Sequence, residues 1–266
     1  MKNFIRYIHF EYLFVKFCIV REMEFRTNLV ISFLTVFIAY LTSALTYSVI
    51  FFNTDKIGNW SFYEVNFLIG TAAIVDGIFM SFLYFGIIQI PELIRTGDLD
   101  FILLQPLNSM FIVSLRKFDL GTFFSVIIGV VTNIISLINI KPSFQWFNIV
   151  IYYFLILNGI IILYTLFFIA KCLAFYFVKV NAIDNLIWAI YEFGRRTPES
   201  VYKNAVRFLL IYICPVLVVV NYPAGFFLQK LGLKELVVSY IVTIVFSLAA
   251  ILFWKMSIKK YNSASS

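Results

Sequence analysis

Apolar residues run almost without interruption through six stretches: Leu29 to Phe52, Phe67 to Ile90, Phe118 to Ile138, Phe147 to Ala170, Val206 to Val220 with some flanking extension, and Leu236 to Trp254. A helix needs about 20 such residues to cross a hydrocarbon core of about 30 Å. At 1.5 Å per residue, the first two runs would each be about 36 Å long, enough to cross with some tilt. Runs this continuous lack the ten-residue alternation of a transmembrane barrel. The pattern therefore predicts an all-α polytopic membrane bundle of six transmembrane helices. Residues 1–266 read as one domain: an interfacial helix over 1–28, the six-span bundle over 29–254 and a tail over 255–266. In the N-terminal arm, Ile5, Ile8, Tyr12, Val15 and Ile19 repeat at three and four, while Lys2, Arg6, His9 and Lys16 share another side. That is the pattern of a helix lying along a leaflet.

Composition sharpens this. Of 266 residues, 62% are hydrophobic and 13% charged, against roughly 25% charged in a soluble domain. Of the 21 Lys and Arg, only Lys56, Lys141, Lys230 and Lys234 fall on one side of the predicted bundle. The excess on the other side places both termini in the cytoplasm of a cell (cytoplasmic) membrane protein. The basic residues then mark orientation and attract anionic lipid. No basic cluster interleaved with aromatics suggests nucleic acid. The arm carries Glu11, Glu22 and Glu24 and no small-residue cleavage site, so it does not read as a signal peptide. Cys18, Cys172 and Cys214 are widely spaced and read as packing thiols. With one histidine, His9, the sequence offers no metal site and no paired catalytic groups for an intramembrane enzyme.

One interruption stands out, PELIRTGDLDFILLQPLNSM over residues 91–110. Pro91 suits the first turn of a helix, Gly97 a left-handed terminator, Asp98 the cap of a second helix, and Pro106 its stop. The prediction is two short helices about a glycine turn at the cytoplasmic surface. Leu93, Ile94, Leu99, Ile102, Leu103 and Leu104 would bury, leaving Glu92, Arg95, Asp98 and Asp100 as a polar edge. On residue chemistry alone, a plain re-entry loop with ordinary caps fits equally well.

The order Ile94, Arg95, Gly97, Leu99, Asp100, Leu103, Pro106, Leu107 resembles the I-R-x-G-x-L-D-x-x-L-x-x-P-L signature of type-2 ABC exporter permeases. NYPAGFF (221–227) resembles that family's proline-containing segment before the last span, and Pro215 precedes it. RRTPESVY (195–202) falls where the family carries Arg and Pro before a Tyr. Lys259, Lys260, Tyr261, Ser263 and Ala264 resemble its C-terminal close, although Ser265 stands where Gly is common. The resemblance implies a six-span permease subunit that pairs with a second permease, identical or related, and with a cytosolic ATPase dimer holding ATP and Mg. The loop after the second span would be a coupling helix, with Glu92, Arg95, Asp98 and Asp100 in contact and Gly97 and Pro106 shaping the backbone. This chain has no G-x-x-x-x-G-K-[ST] and so is not expected to be an enzyme or to bind a cofactor by itself.

Within the spans, Asp76 is an ionisable residue whose insertion costs at least about 2.5 kcal/mol, so it must face protein or water. Asp76, Asn133 and Asn158 are pathway candidates. For Asp76, a substrate contact and a carboxylate bonded to a neighbouring helix both remain open. For Asn133, Asn158 and the nearby Thr132, an interhelical hydrogen bond is the simpler role. Asn221, Pro223 and Gly225 form a candidate external re-entrant gate, an assignment that rests on the resemblance. Two alternatives to an exporter are an importer permease and a non-transporting scaffold or immunity protein. The importer loop E-A-A-x-x-x-G fits poorly, because Gly97 and Pro106 each arrive one residue early after Glu92.

Overall fold

The computed structural model describes residues 2–24, 26–141, 146–177 and 180–261, with side chains from residue 11 onward. Lys179, Ser263, Ala264 and the side chains of Ile5, Ile8 and His9 lie outside the described residues. Helix dominates, and the one β feature among the described residues is the isolated pairing of Ile57 with Trp60.

Among the described residues, five helices are long and apolar enough to cross a membrane: Arg26–Asn53, Phe62–Thr96, Leu120–Ile140, Trp146–Phe175 and Leu233–Lys260. They match five of the six predicted spans. In order, α1 is Lys2–Glu24 and α2 is Arg26–Asn53. Then α3 (Phe62–Phe79) passes through a π turn at Met80–Tyr84 into α4 (Phe85–Ile87) and α5 (Ile90–Thr96). The short α6 (Leu99–Leu103) and α7 (Ser109–Leu115) lead to α8 (Leu120–Ile140) and α9 (Trp146–Cys172). Next comes α10 (Asn181–Arg196), and α11 (Asn204–Phe208) runs on as a π segment to Ile213. The chain closes with α12 (Val216–Phe227) and α13 (Leu233–Lys260).

The face holding α1, residues 90–117 and the end of α13 is the terminal face, and the opposite one is the far face. At the terminal face, α8 begins with bare N–H groups, which a helix must satisfy from outside. Asp119 accepts from Thr122 N at 2.7 Å and Glu22 of α1 from Leu120 N at 2.8 Å. One carboxylate thus fastens the interfacial helix to the bundle. Partial burial still holds the Glu22 carboxyl above its usual pKa. In the core, α3 and α8 approach through Gly70 and Gly129: a Cβ on Gly129 would lie 2.5 Å from Gly70 O. Such small-residue contacts let backbones meet where lipid offers no hydrophobic drive.

The fifth span is where the structure departs from the predicted boundaries. The run Val206 to Val220 does not cross. Asn204–Ile213 and Val216–Phe227 meet at 98°. Both arms open on the far face, since Arg207 pairs with Glu199 at 3.0 Å and Lys230, just after α12, pairs with Glu64 at 3.0 Å. This is a re-entrant hairpin, its break at Cys214 and the buried Pro215. Irregular backbone at that depth survives only inside protein.

The crossing is made instead by α10 and the residues after it. Asp184 pairs with Lys171 at the end of α9. Trp188 Nε1 donates to Tyr84 Oη at 3.1 Å, Tyr191 and Arg195 meet Asp76, and Ser200 packs on Gly58 in the far-face loop. Its stripe is inverted relative to a soluble helix: Asp184 and Tyr191 are buried while Leu186 and Phe193 are exposed. The number of crossings stays even. Lys203 and Arg207, expected with the cytoplasmic residues, lie at the far face, and Arg195 and Arg196 lie inside the bundle. The basic bias keeps its sign but shrinks.

Candidate functional site

Two sites emerge, one at the terminal face and one within the bundle. At the first, Pro91 sits in the first turn of α5 and Gly97 ends it in the left-handed region at φ 82°. A β-carbon is costly there, so glycine fits. Asp98 does not cap α6 as expected. Its carboxylate instead accepts the Thr96 hydroxyl at 2.8 Å, which closes the turn from the side. Glu92 and Arg95 form an exposed ion pair. Leu93, Leu99 and Ile102 bury as expected, but Leu104 is 81% exposed and Phe101 is 70% exposed. An apolar pair therefore projects beside the acids, which the polar-edge reading missed. Strand-like or helical periodicity is too short over five residues to assign faces.

The tail motif joins this site in space. Tyr261 packs edge-on to Phe175 with centroids 6.0 Å apart. Burial first, then the Asp100 and Asp98 carboxylates, push its phenol above the ordinary range. On the other flank of α5 lies a cavity of about 480 Å³ lined by Pro91, Glu92, Arg95, Lys171 and Asn181. Behind it sits the Lys171–Asp184 pair, both residues buried. The foot of α10 thus abuts α5.

The second site is built around the top of α10. A helix ending inside a bundle must satisfy its last carbonyls. Tyr202 Oη donates to Phe193 O at 2.8 Å, Asn221 Nδ2 to Gly194 O at 2.9 Å, and Tyr47 Oη to Arg196 O. Asn221 Oδ1 also accepts from Glu199 N at 2.8 Å. The RRTPESVY and NYPAG stretches are therefore parts of one cap.

Asp76 of α3 faces this end of α10. Tyr191 Oη donates to Asp76 Oδ1 at 2.6 Å, and Arg195 pairs with Asp76 Oδ2. Glu192 bridges Arg195 and Arg196, meeting Arg196 Nε at 2.8 Å. Asp76, Glu192, Arg195 and Arg196 line a cavity of about 250 Å³ between α2, α3, α8 and α10, with Tyr40, Ala73, Met80 and Trp188 among its apolar and aromatic walls. Trp188 is itself held against Phe167, centroids 4.8 Å apart. The π turn at Met80–Tyr84 lies one turn below Asp76, and its Ser81 carbonyl accepts from Asp119 N at 3.1 Å. Such turns often mark functional positions in helices.

The remaining expected residues lie elsewhere. Asn133 Nδ2 donates to Tyr152 Oη at 2.9 Å, and Tyr152 meets Thr71 Oγ1 at 2.9 Å, linking α8, α9 and α3. Asn158 Nδ2 reaches Ser239 Oγ at 3.0 Å, linking α9 to α13. Thr132 Oγ1 meets Tyr40 Oη at 2.7 Å. Pro223 and Gly225 sit inside α12, the returning arm of the hairpin rather than its turn. The place of Glu192, Arg195 and Arg196 at this cavity was missed because they read as loop charges. The signal that could have found them is their spacing with Asp184, Trp188 and Tyr191, one helical face with an acid in α3 in need of a partner.

A helical membrane bundle with short helices on one face and a polar cavity inside it suits the membrane component of a transporter. The family model for ABC-2 family transporter proteins matches residues 37–265, and the chain belongs to that family. It is a membrane permease component of an ABC transporter, a kind of subunit that works with an ABC ATPase. No curated protein and no solved structure was found to match the chain.

Proposed function

We propose that this chain is the permease subunit of an ATP-driven exporter whose power stroke arrives at residues 90–107. The observation that carries the reading is the exposed pair Phe101 and Leu104, in the same short-helix segment as the exposed Glu92 and Asp98, on a lever whose flank meets the foot of α10. Exposed apolar residues rimmed by charge suit docking by another protein. The terminal face is then cytoplasmic, in keeping with its basic excess. A separate ATPase dimer holds ATP and Mg²⁺ there, and a second permease subunit, identical or related, completes the pathway within the cell membrane. Export rather than import is favoured by the resemblance of IRTGDLD to exporter permeases.

The lever is joined to Asp76 through α4 and the π turn, and to Arg195 through Lys171, Asp184 and α10. A push at α5 therefore acts on both sides of the Asp76–Arg195 latch. Opening and closing it converts an ATPase movement into two packings of the bundle, as switching requires two discrete arrangements.

The test is the double variant Phe101→Asp/Leu104→Asp in the complex with its ATPase. Both side chains are exposed, so the apparent Tm should stay at the wild-type value. ATPase recovered on co-purification should fall at least about tenfold, the scale of losing interface anchors. Undiminished co-purification by a well-folded variant would overturn the docking assignment.

A further inference from the structure

The charge inventory of the inner cavity points to what it can hold. Asp76 and Glu192 are acids, Arg195 and Arg196 are bases, and all four line the same 250 Å³ space. The cluster is neutral as a whole. Asp76 and Arg195 are largely buried against each other, whereas Glu192 is 39% exposed and Arg196 50% exposed in their side chains. Arg196 engages Glu192 through Nε, which leaves its two terminal nitrogens. Arg195 Nε is buried with no hydrogen-bond partner among the described residues.

The cavity therefore offers a part-exposed guanidinium–carboxylate pair, Arg196 on Glu192, that a ligand carrying both signs can open, its anion taking the arginine and its cation the carboxylate. Residues 192 and 196 are one turn apart, with Cβ atoms about 6 Å from each other. Parted by an incoming ligand, Glu192 and Arg196 can meet an ammonium and an anion joined by a short spacer. A ligand of net charge would leave one charge uncompensated in a partly desolvated site, a penalty that a ligand of balanced charge avoids. A ligand carrying both signs brings its own compensation. Tyr40 and Trp188 add aromatic faces that attract a cation, and Val36, Ala39, Ile69 and Ile128 supply apolar wall.

We propose that the cavity binds a zwitterionic group carried on an apolar body, its anionic part held by Arg195 and Arg196 and its cationic part by Glu192 and the aromatic rings. This deepens the transport reading and rests on it. A zwitterion of this kind is presented both by a lipid headgroup and by a free hydrophobic peptide.

The full chain, purified without its ATPase in an uncharged maltoside, is titrated while tryptophan fluorescence is recorded. Binding is read on the permease alone, so a failure of ATPase docking leaves this measurement intact. The probes are dodecylphosphocholine, dodecyl phosphate and dodecyltrimethylammonium, each below its micelle-forming concentration, with a zwitterionic hydrophobic dipeptide alongside. Dodecylphosphocholine should half-saturate at a concentration at least about tenfold below either singly charged probe. The response should vanish in Trp188→Phe. Glu192→Gln leaves the cluster with net positive charge and should bring dodecyl phosphate to the front. Arg196→Gln leaves it negative and should do the same for dodecyltrimethylammonium. A dipeptide that binds as tightly as dodecylphosphocholine assigns the group to free peptides, and a silent dipeptide assigns it to lipid headgroups, either result supporting the site. Equal half-saturation by all three alkyl probes, or a ranking that neither substitution moves, overturns the proposal.

Discussion

The lever and α10 both carry an acid with a base one turn further along, Glu92 with Arg95 and Glu192 with Arg195 and Arg196. On the lever both partners are more than half exposed, and water already solvates each charge. Such pairs contribute about 0–1 kcal/mol. Inside the bundle the same local arrangement is tied to Asp76, 119 residues earlier. There Asp76 and Arg195 depend on each other, because both are largely buried, while Glu192 and Arg196 keep part of their surface exposed. Identical spacing in sequence therefore carries opposite consequences, and depth in the bundle decides between them.

The contrast can be broken most forcefully at the foot of α10. Asp184→Ala leaves Lys171 buried without its counter-charge, which costs about 3–5 kcal/mol. Monodisperse protein on size-exclusion chromatography should be lost or sharply reduced. Lys171→Met/Asp184→Leu removes both charges and should recover most of it. If the single variant is as stable as wild type, the pair is not the structural joint described here.

A second, smaller effect is expected at the latch. Arg195→Met should lower stability by about 2 kcal/mol, the cost of stranding a charged partner. Adding Asp76→Asn should restore at least half of the loss, read as apparent Tm in a double-mutant cycle. Strict additivity of the two changes would separate Asp76 from Arg195. By contrast, Glu92→Gln on the lever should leave the apparent Tm unchanged.

Neutral links should matter less. Tyr152→Phe removes bonds to Thr71 and Asn133 and should cost about 1 kcal/mol, as interhelical hydrogen bonds do in membranes. The smallest non-zero effect concerns the interfacial helix. Burial lifts the Glu11 carboxyl from 4.5 to about 7. A raised pKa on an acid means that the folded state loses stability as pH climbs from the unfolded value through the folded one. Glu11→Gln should thus stabilise the protein at pH 8, by less than about 1 kcal/mol given its partial exposure, and be neutral at pH 5. An unchanged difference between the two pH values would remove Glu11 as its source.

Much of the lever was legible because its determinants are local. Pro91, Gly97 and Pro106 act through their own backbone preferences, and these hold wherever the chain is placed. Even so, Asp98 turned out to bond Thr96, since a side chain two residues away competes with the helix N–H groups. The exposure of Phe101 and Leu104 depends on which side of a five-residue helix the bundle lies, and composition says nothing of that. The cavity was barely legible. Asp76 announced a need for a partner, but Arg195 was assigned to a loop because hydropathy sums residues without asking what each one meets.

By itself, the amino-acid sequence determined the helical membrane class, five of the crossings, the punctuation of the lever and the side on which basic residues accumulate. Each follows from properties that residues carry alone: transfer cost, backbone preference and charge. Only the tertiary structure decided that α10 makes the remaining crossing and that Val206 to Val220 turns back. A charged helix can lie at membrane depth when Asp76, Lys171 and the carbonyl-capping Tyr47, Asn221 and Tyr202 satisfy it, and an apolar one need not cross when Pro215 breaks it. Those partners come from all along the chain, and folding is what brings them together.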